Sequence, residues 1–76
     1  MPKTPEKIEI TTEFIRLDAF LKFAAVVATG GEAKLLVQDG MVKVNGDICL
    51  QRTKKLHNGD IVEAEAQSFI VCGVSE

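Results

Sequence analysis

The sequence predicts an α+β fold, a helix hairpin packed on a small, mostly antiparallel sheet that includes a β-hairpin. Three observations carry this expectation. Apolar residues fall at helical spacing over Leu17–Ala28 and again over Glu32–Asp39. From Met41 onward the apolar period switches to two. The second half is punctuated by Asn45-Gly46 and Asn58-Gly59-Asp60, which are turn sequences.

Each element has its own signal. Residues 1–6, MPKTPE, hold both prolines and read as a loose lead-in to a single domain over 7–76. Lys7–Ile10 reads as a short strand. In the first helix, Leu17, Phe20, Leu21, Ala24 and Ala28 form the inward stripe, with Asp18 favourably placed in the first turn. Thr29-Gly30-Gly31 is expected to stop that helix and, with a left-handed residue at Gly31, to make leucine destabilising there. The second helix has Ala33, Leu36, Val37 and Gly40 on its inner side, and Gly40 is a natural C-terminal stop. In Met41–Val44 the valines point inward and Lys43 outward. Asn45-Gly46 turns the chain into a second strand, Asp47–Leu50, with Ile48 and Leu50 inward. Arg52-Thr53-Lys54-Lys55 is an exposed basic segment anchored by Leu56, and Ile61–Ala66 and Phe69–Val74 read as the closing strands.

Seventy-six residues suit one small domain with little room for a deep cleft. The apolar run AFLKFAAVVA is too short to span a bilayer and is broken by Lys22, and MPKTPEKIEI lacks a signal-peptide core. These features point to a cytoplasmic protein with no membrane partner. Cys49 and Cys72, with the single His57, cannot complete a four-ligand zinc site, and read as small buried hydrophobes in a reducing compartment. No metal or cofactor is expected.

The glycines of ATGGEAKLLV match neither GxxxxGK[ST] nor GxGxxG, and they follow a helix rather than a strand. They read as a joint that leaves the second helix's N-terminus open to a phosphate, with Lys34 one turn further on. Acids are scattered singly, and neither Ser68 nor Ser75 sits in a nucleophile elbow, so no catalytic residues are assigned and an enzyme is not expected. Phe14, Phe20, Phe23 and Phe69 are the aromatics, with core packing as their default use.

The charge pattern is more informative than the net charge of -2. From Arg16 to Lys55 seven bases (Arg16, Lys22, Lys34, Lys43, Arg52, Lys54, Lys55) stand against four acids. From Leu56 onward there are four acids and no Lys or Arg. A two-faced molecule follows, whose basic rim suits a phosphate backbone.

The motif order is that of a known family. IRLDAFLKFA, then TGGEAKLLVQDGMVKVNG, then RTKKLHNGDIV resembles the S-four type RNA-binding domain over about Ile15–Glu63. The resemblance implies non-catalytic binding of structured RNA, ribosomal RNA above all, through the two helices and the loop after the β-hairpin. By position it points to Arg16, Gly31, Lys34, Lys43, Asn45, Arg52, Lys54 and Lys55. The chain is similar to small stand-alone bacterial members. Many members carry Ser-Arg where this chain has Thr29-Gly30, and a basic residue where it has Leu35; both changes remove positive charge from the expected face. Duplex DNA fits less well as a partner. The rival expectation is a protein-binding or homodimerising module, using a second apolar stripe of Phe20, Phe23, Val26 and Val27 on the first helix.

Overall fold

The computed structural model describes residues 4–73. Of the lead-in, residues 1–3 lie outside the described residues, as does Val74 at the end of the last expected strand. Glu6 already belongs to a strand. The elements run β1 (Glu6–Glu9), β2 (Phe14–Arg16), α1 (Leu17–Phe23), α2 (Gly30–Gln38), β3 (Val42–Val44), β4 (Asp47–Ile48), β5 (Lys55–His57), β6 (Ile61–Ala64) and β7 (Gln67–Cys72). Five strands form a mixed sheet in the order β1-β7-β6-β3-β4, with β1 parallel to β7 and the other pairs antiparallel. A second, two-stranded ribbon pairs β2 with β5. The predicted fold class holds.

One core joins helices, sheet and ribbon. Leu17, Phe20 and Leu21 of α1, Ala33 and Val37 of α2, and Val42, Leu56, Val62 and Val71 from the strands are fully enclosed. Phe20 meets Phe69 edge to face, with centroids 6.0 Å apart. Burying a side chain of this size contributes roughly 1.5–3 kcal/mol. Val42 and Val44 point inward and Lys43 outward, as the alternation predicts.

Both helices end in Schellman motifs. In α2, Gly40 takes φ 73°, its N–H donates to the Val37 carbonyl, and the N–H of Met41 donates to Leu36. In α1 the same two bonds run from Ala25 to Lys22 and from Val26 to Leu21. The left-handed residue there is Ala25, at φ 63°. The first helix therefore stops at Phe23, short of the predicted Ala28. Ala28 is exposed, and Val26 and Val27 lie off the helix, half-buried against the core. The second apolar stripe is thus broken. Phe20 is enclosed, and Phe23, at 61% exposure, is what remains of it at the surface.

The glycine pair also differs from expectation. Thr29 is the N-cap of α2, and Gly30 and Gly31 are its first helical residues. Gly31 has no positive φ, and an added Cβ would meet only Thr29 Oγ1, at 3.9 Å. Leucine there carries no backbone strain. Ile48 and Leu50, predicted inward, are about 60% exposed (58% and 63%) because β4 is only two residues long and lies at the sheet edge.

The turns set the sheet's register. Asn45 and Gly46 take φ 53° and 89°, the conformations a two-residue hairpin requires. Between β6 and β7 the same role falls to Glu65 and Ala66, at φ 54° and 62°. Neither residue favours that region. Replacing Ala25 or Ala66 with glycine should therefore raise stability, each by up to about 1 kcal/mol. Urea unfolding measures this. Lower midpoints for both variants would contradict left-handed backbone at these positions.

Candidate nucleic-acid interface

Four of the predicted cations come together: Arg16, Arg52, Lys54 and Lys55. Pairing of β2 with β5 sets Arg16 directly across from Lys55. The start of α1 is tied to the loop before β5 by two backbone bonds. The N–H of Leu17 donates to the Lys54 carbonyl at 2.8 Å, and that of Asp18 to the Arg52 carbonyl at 2.9 Å.

Asp18 holds this junction by its side chain as well. Its Oδ2 accepts from Arg16 at 2.7 Å and from Arg52 at 3.5 Å, while Oδ1 accepts the N–H of Ala19 at 2.7 Å. The guanidinium groups are about half exposed and the carboxylate only 14% exposed. Most guanidinium donors therefore remain available to a ligand. Burial pushes the Asp18 carboxyl up. The hydrogen bonds from Arg16 and Ala19 and the charges of Arg16 and Arg52 outweigh that, so its pKa lies below the ordinary 3.8.

The remaining predicted residues are placed differently. Asn45 sits at the β3–β4 turn, where it lines an open groove together with Lys54. Its amide is used internally. Oδ1 accepts the N–H of Ile61 at 2.9 Å and Nδ2 donates to Asp60 at 3.2 Å. Asp60 in turn accepts the N–H of His57 at 2.8 Å. The separated VNG and NGD motifs are thus halves of one brace that fixes β3, β5 and β6. Lys43 lies on the outward face of the sheet, across from Glu63 and Ile48. Lys34 is exposed on α2. Among the described residues, no ion pair or side-chain hydrogen bond joins Lys34 or Lys43 to the Asp18 cluster.

Gly31 lies in the first turn of α2, but that terminus is less open than its glycines suggest. A capping box closes it. Thr29 Oγ1 accepts the N–H of Glu32 at 3.1 Å, and Glu32 Oε1 accepts the N–H groups of Ala28 at 2.8 Å and Thr29 at 3.3 Å. The Glu32 carboxylate thus occupies the positive end of the helix dipole.

Sequence reasoning misses two surface residues. Phe14 and His57 face each other across β2 and β5, with ring centroids 6.1 Å apart. Lys55 Nζ lies 4.8 Å from the Phe14 ring centroid. The usable signal is alternation: Ile15 and Leu56 point inward, so their neighbours point out. Among the described residues, no group of three or more His, Cys, Asp or Glu could hold a metal ion. Cys49 and Cys72 are free thiols, half-buried rather than enclosed. No helix of the described residues is long and apolar enough to cross a membrane.

A helix hairpin on a mixed sheet is the frame of a known class. The family model of the S4 domain matches residues 8–72, and the chain belongs to that family. Among curated proteins it is similar to a probable ribosome maturation protein, RlbA, of Bacillus subtilis (strain 168). The two are 45% identical over 58 residues, covering 76% of this chain and 82% of the relative. Among solved structures it resembles the 30S ribosomal protein S4e of Thermoplasma acidophilum, with a TM-score of 0.60 over 78% of this chain at 19% identity. The chain spans 31% of that protein's length, and at this identity the likeness is one of fold.

The Asp18 network predicts a pH effect. A carboxyl whose folded pKa is depressed contributes stability that is present above its unfolded value and lost as pH falls through the folded one. Wild type should therefore lose stability below about pH 4, and Asp18→Asn should remove part of that loss. Thermal unfolding between pH 2.5 and 6 checks this. Parallel pH profiles for the two proteins would show that Asp18 is not held by the arginines.

Proposed function

We propose that this domain binds structured RNA, ribosomal RNA or the ribosome itself, without catalysis, through the basic edge around Asp18. The observation that carries the reading is the junction at Asp18, whose carboxylate holds Arg16 and Arg52 while backbone bonding and strand pairing bring Lys54 and Lys55 to the same edge. Family membership and the ribosome-maturation name of the Bacillus relative support it. Duplex A-form RNA presents phosphates and 2′-hydroxyls while its major groove is too deep and narrow to read. A rim of guanidinium and ammonium groups suits that target, with affinity set by phosphate contacts.

Lys34, Lys43 and Asn45 extend the proposed surface. Asn45 acts through the shape of its turn, since its amide is already bonded. The N–H groups of Gly30 and Gly31 can still take a phosphate, against the nearby Glu32 charge. A bacterial, cytoplasmic setting fits the Bacillus relative and a ribosomal partner. The rival reading, a homodimer through the first helix, rests on exposed Phe23 and has less to build on now that Phe20 is enclosed.

Changing Arg52, Lys54 and Lys55 together to Gln should weaken binding to a ribosomal RNA stem-loop by roughly tenfold or more. It should also flatten the salt dependence, by roughly 0.7–0.9 in log–log slope for each phosphate the protein no longer neutralises. Filter binding across a salt series measures both. Unchanged affinity and slope in a variant of normal thermal stability would contradict the proposed surface.

A further inference from the structure

The outward face of the β2–β5 ribbon carries four side chains with a shared chemistry. Its register pairs Phe14 with His57 and Arg16 with Lys55, while Ile15 and Leu56 take the inward face. Leu56 is fully enclosed, so the ribbon is anchored from that side alone. Phe14 is 39% exposed and stands outside the buried core cluster. Packing in the core thus does not account for a phenyl ring at this place.

What surrounds the ring points to a ligand. An imidazole stands tilted at 45° beside it, and the Lys55 ammonium lies over it. Arg16, on the same face, is tied through Asp18 to Arg52. One flat π surface bordered by cations matches the two halves of a nucleotide. A base can stack on the ring, and its phosphates can meet the guanidinium and ammonium groups. A base paired inside a helix has both faces covered by its neighbours. A base turned out of the helix has a free one.

We propose that Phe14, flanked by His57, Arg16 and Lys55, is a stacking site for one unpaired base, so that the domain selects RNA carrying a bulged or flipped-out nucleotide. The inference rests on the RNA reading above and narrows it. Lys55 is the moving part. Its ammonium now covers the ring at 4.8 Å and shifts to a phosphate when the base takes its place. The exchange keeps the lysine paired in both states.

The test uses two RNA stem-loops of the same sequence. One carries a single bulged 2-aminopurine, and in the other that position is fully paired. Stacking on an aromatic side chain is worth roughly five- to hundredfold in affinity. Wild type should bind the bulged probe at least fivefold more tightly and change its fluorescence on binding. Phe14→Ala should bind both probes with the wild type's affinity for the paired stem. Phe14→Trp should restore the preference, and circular dichroism should show both variants folded. Equal binding of the two probes by wild type overturns the stacking site while leaving the RNA reading standing. So does a preference that survives in Phe14→Ala. Failure of wild type to bind either probe or purified ribosomal RNA overturns both.

Discussion

The Asp18 carboxylate is the contact on which the surface depends. Two guanidinium groups close together repel one another, and long basic side chains are costly to order. A single carboxylate between two guanidinium groups offsets that repulsion and fixes where the arginines stand. With both arginines about half exposed, its contribution to stability is modest. Its importance is positional, because the backbone of Leu17 and Asp18 also bonds the loop carrying Arg52 and Lys54. The helix start, the ribbon and the basic segment are thereby joined. Arg16-Leu17-Asp18 divides three tasks among three neighbours: a cation outward, an anchor in the core, and a carboxylate that joins them.

A second constraint works at a distance from the cations. Asn45 and Asp60 bond each other through their side chains and brace three strands by accepting the backbone N–H groups of Ile61 and His57. This explains why a turn asparagine and an aspartate 15 residues later belong to one motif. Their part is to hold β5 in place, and β5 carries Lys55 and His57. The surface chemistry and the turn chemistry are therefore linked through the ribbon.

Much of this is legible in the sequence because its causes are local. The Leu17–Leu21 stripe, the alternation of Val42-Lys43-Val44, the Asn45-Gly46 turn and the Gly40 helix stop all follow from spacing or from a residue's own conformational preference. What escapes has non-local causes. The β2–β5 ribbon is two three-residue strands, distant in the chain, brought together by core packing around Leu56. Left-handed backbone at Ala25, Glu65 and Ala66 carries no glycine signal, so periodicity alone extends α1 too far. The reverse holds at Gly31, where glycine suggests a left-handed turn and the chain is helical. Phe14 reads as core material by residue type alone, although the ribbon's alternation turns it outward.

The most direct test follows backbone amide signals by NMR as a ribosomal RNA stem-loop is added to the protein. The largest shifts should fall on Phe14–Ala19 and Arg52–His57, the two segments joined at Asp18. The groove formed by Val26, Val27, Leu35 and Leu36 should stay quiet. Shifts concentrated in that groove, with the Asp18 junction unmoved, would contradict binding through the basic edge.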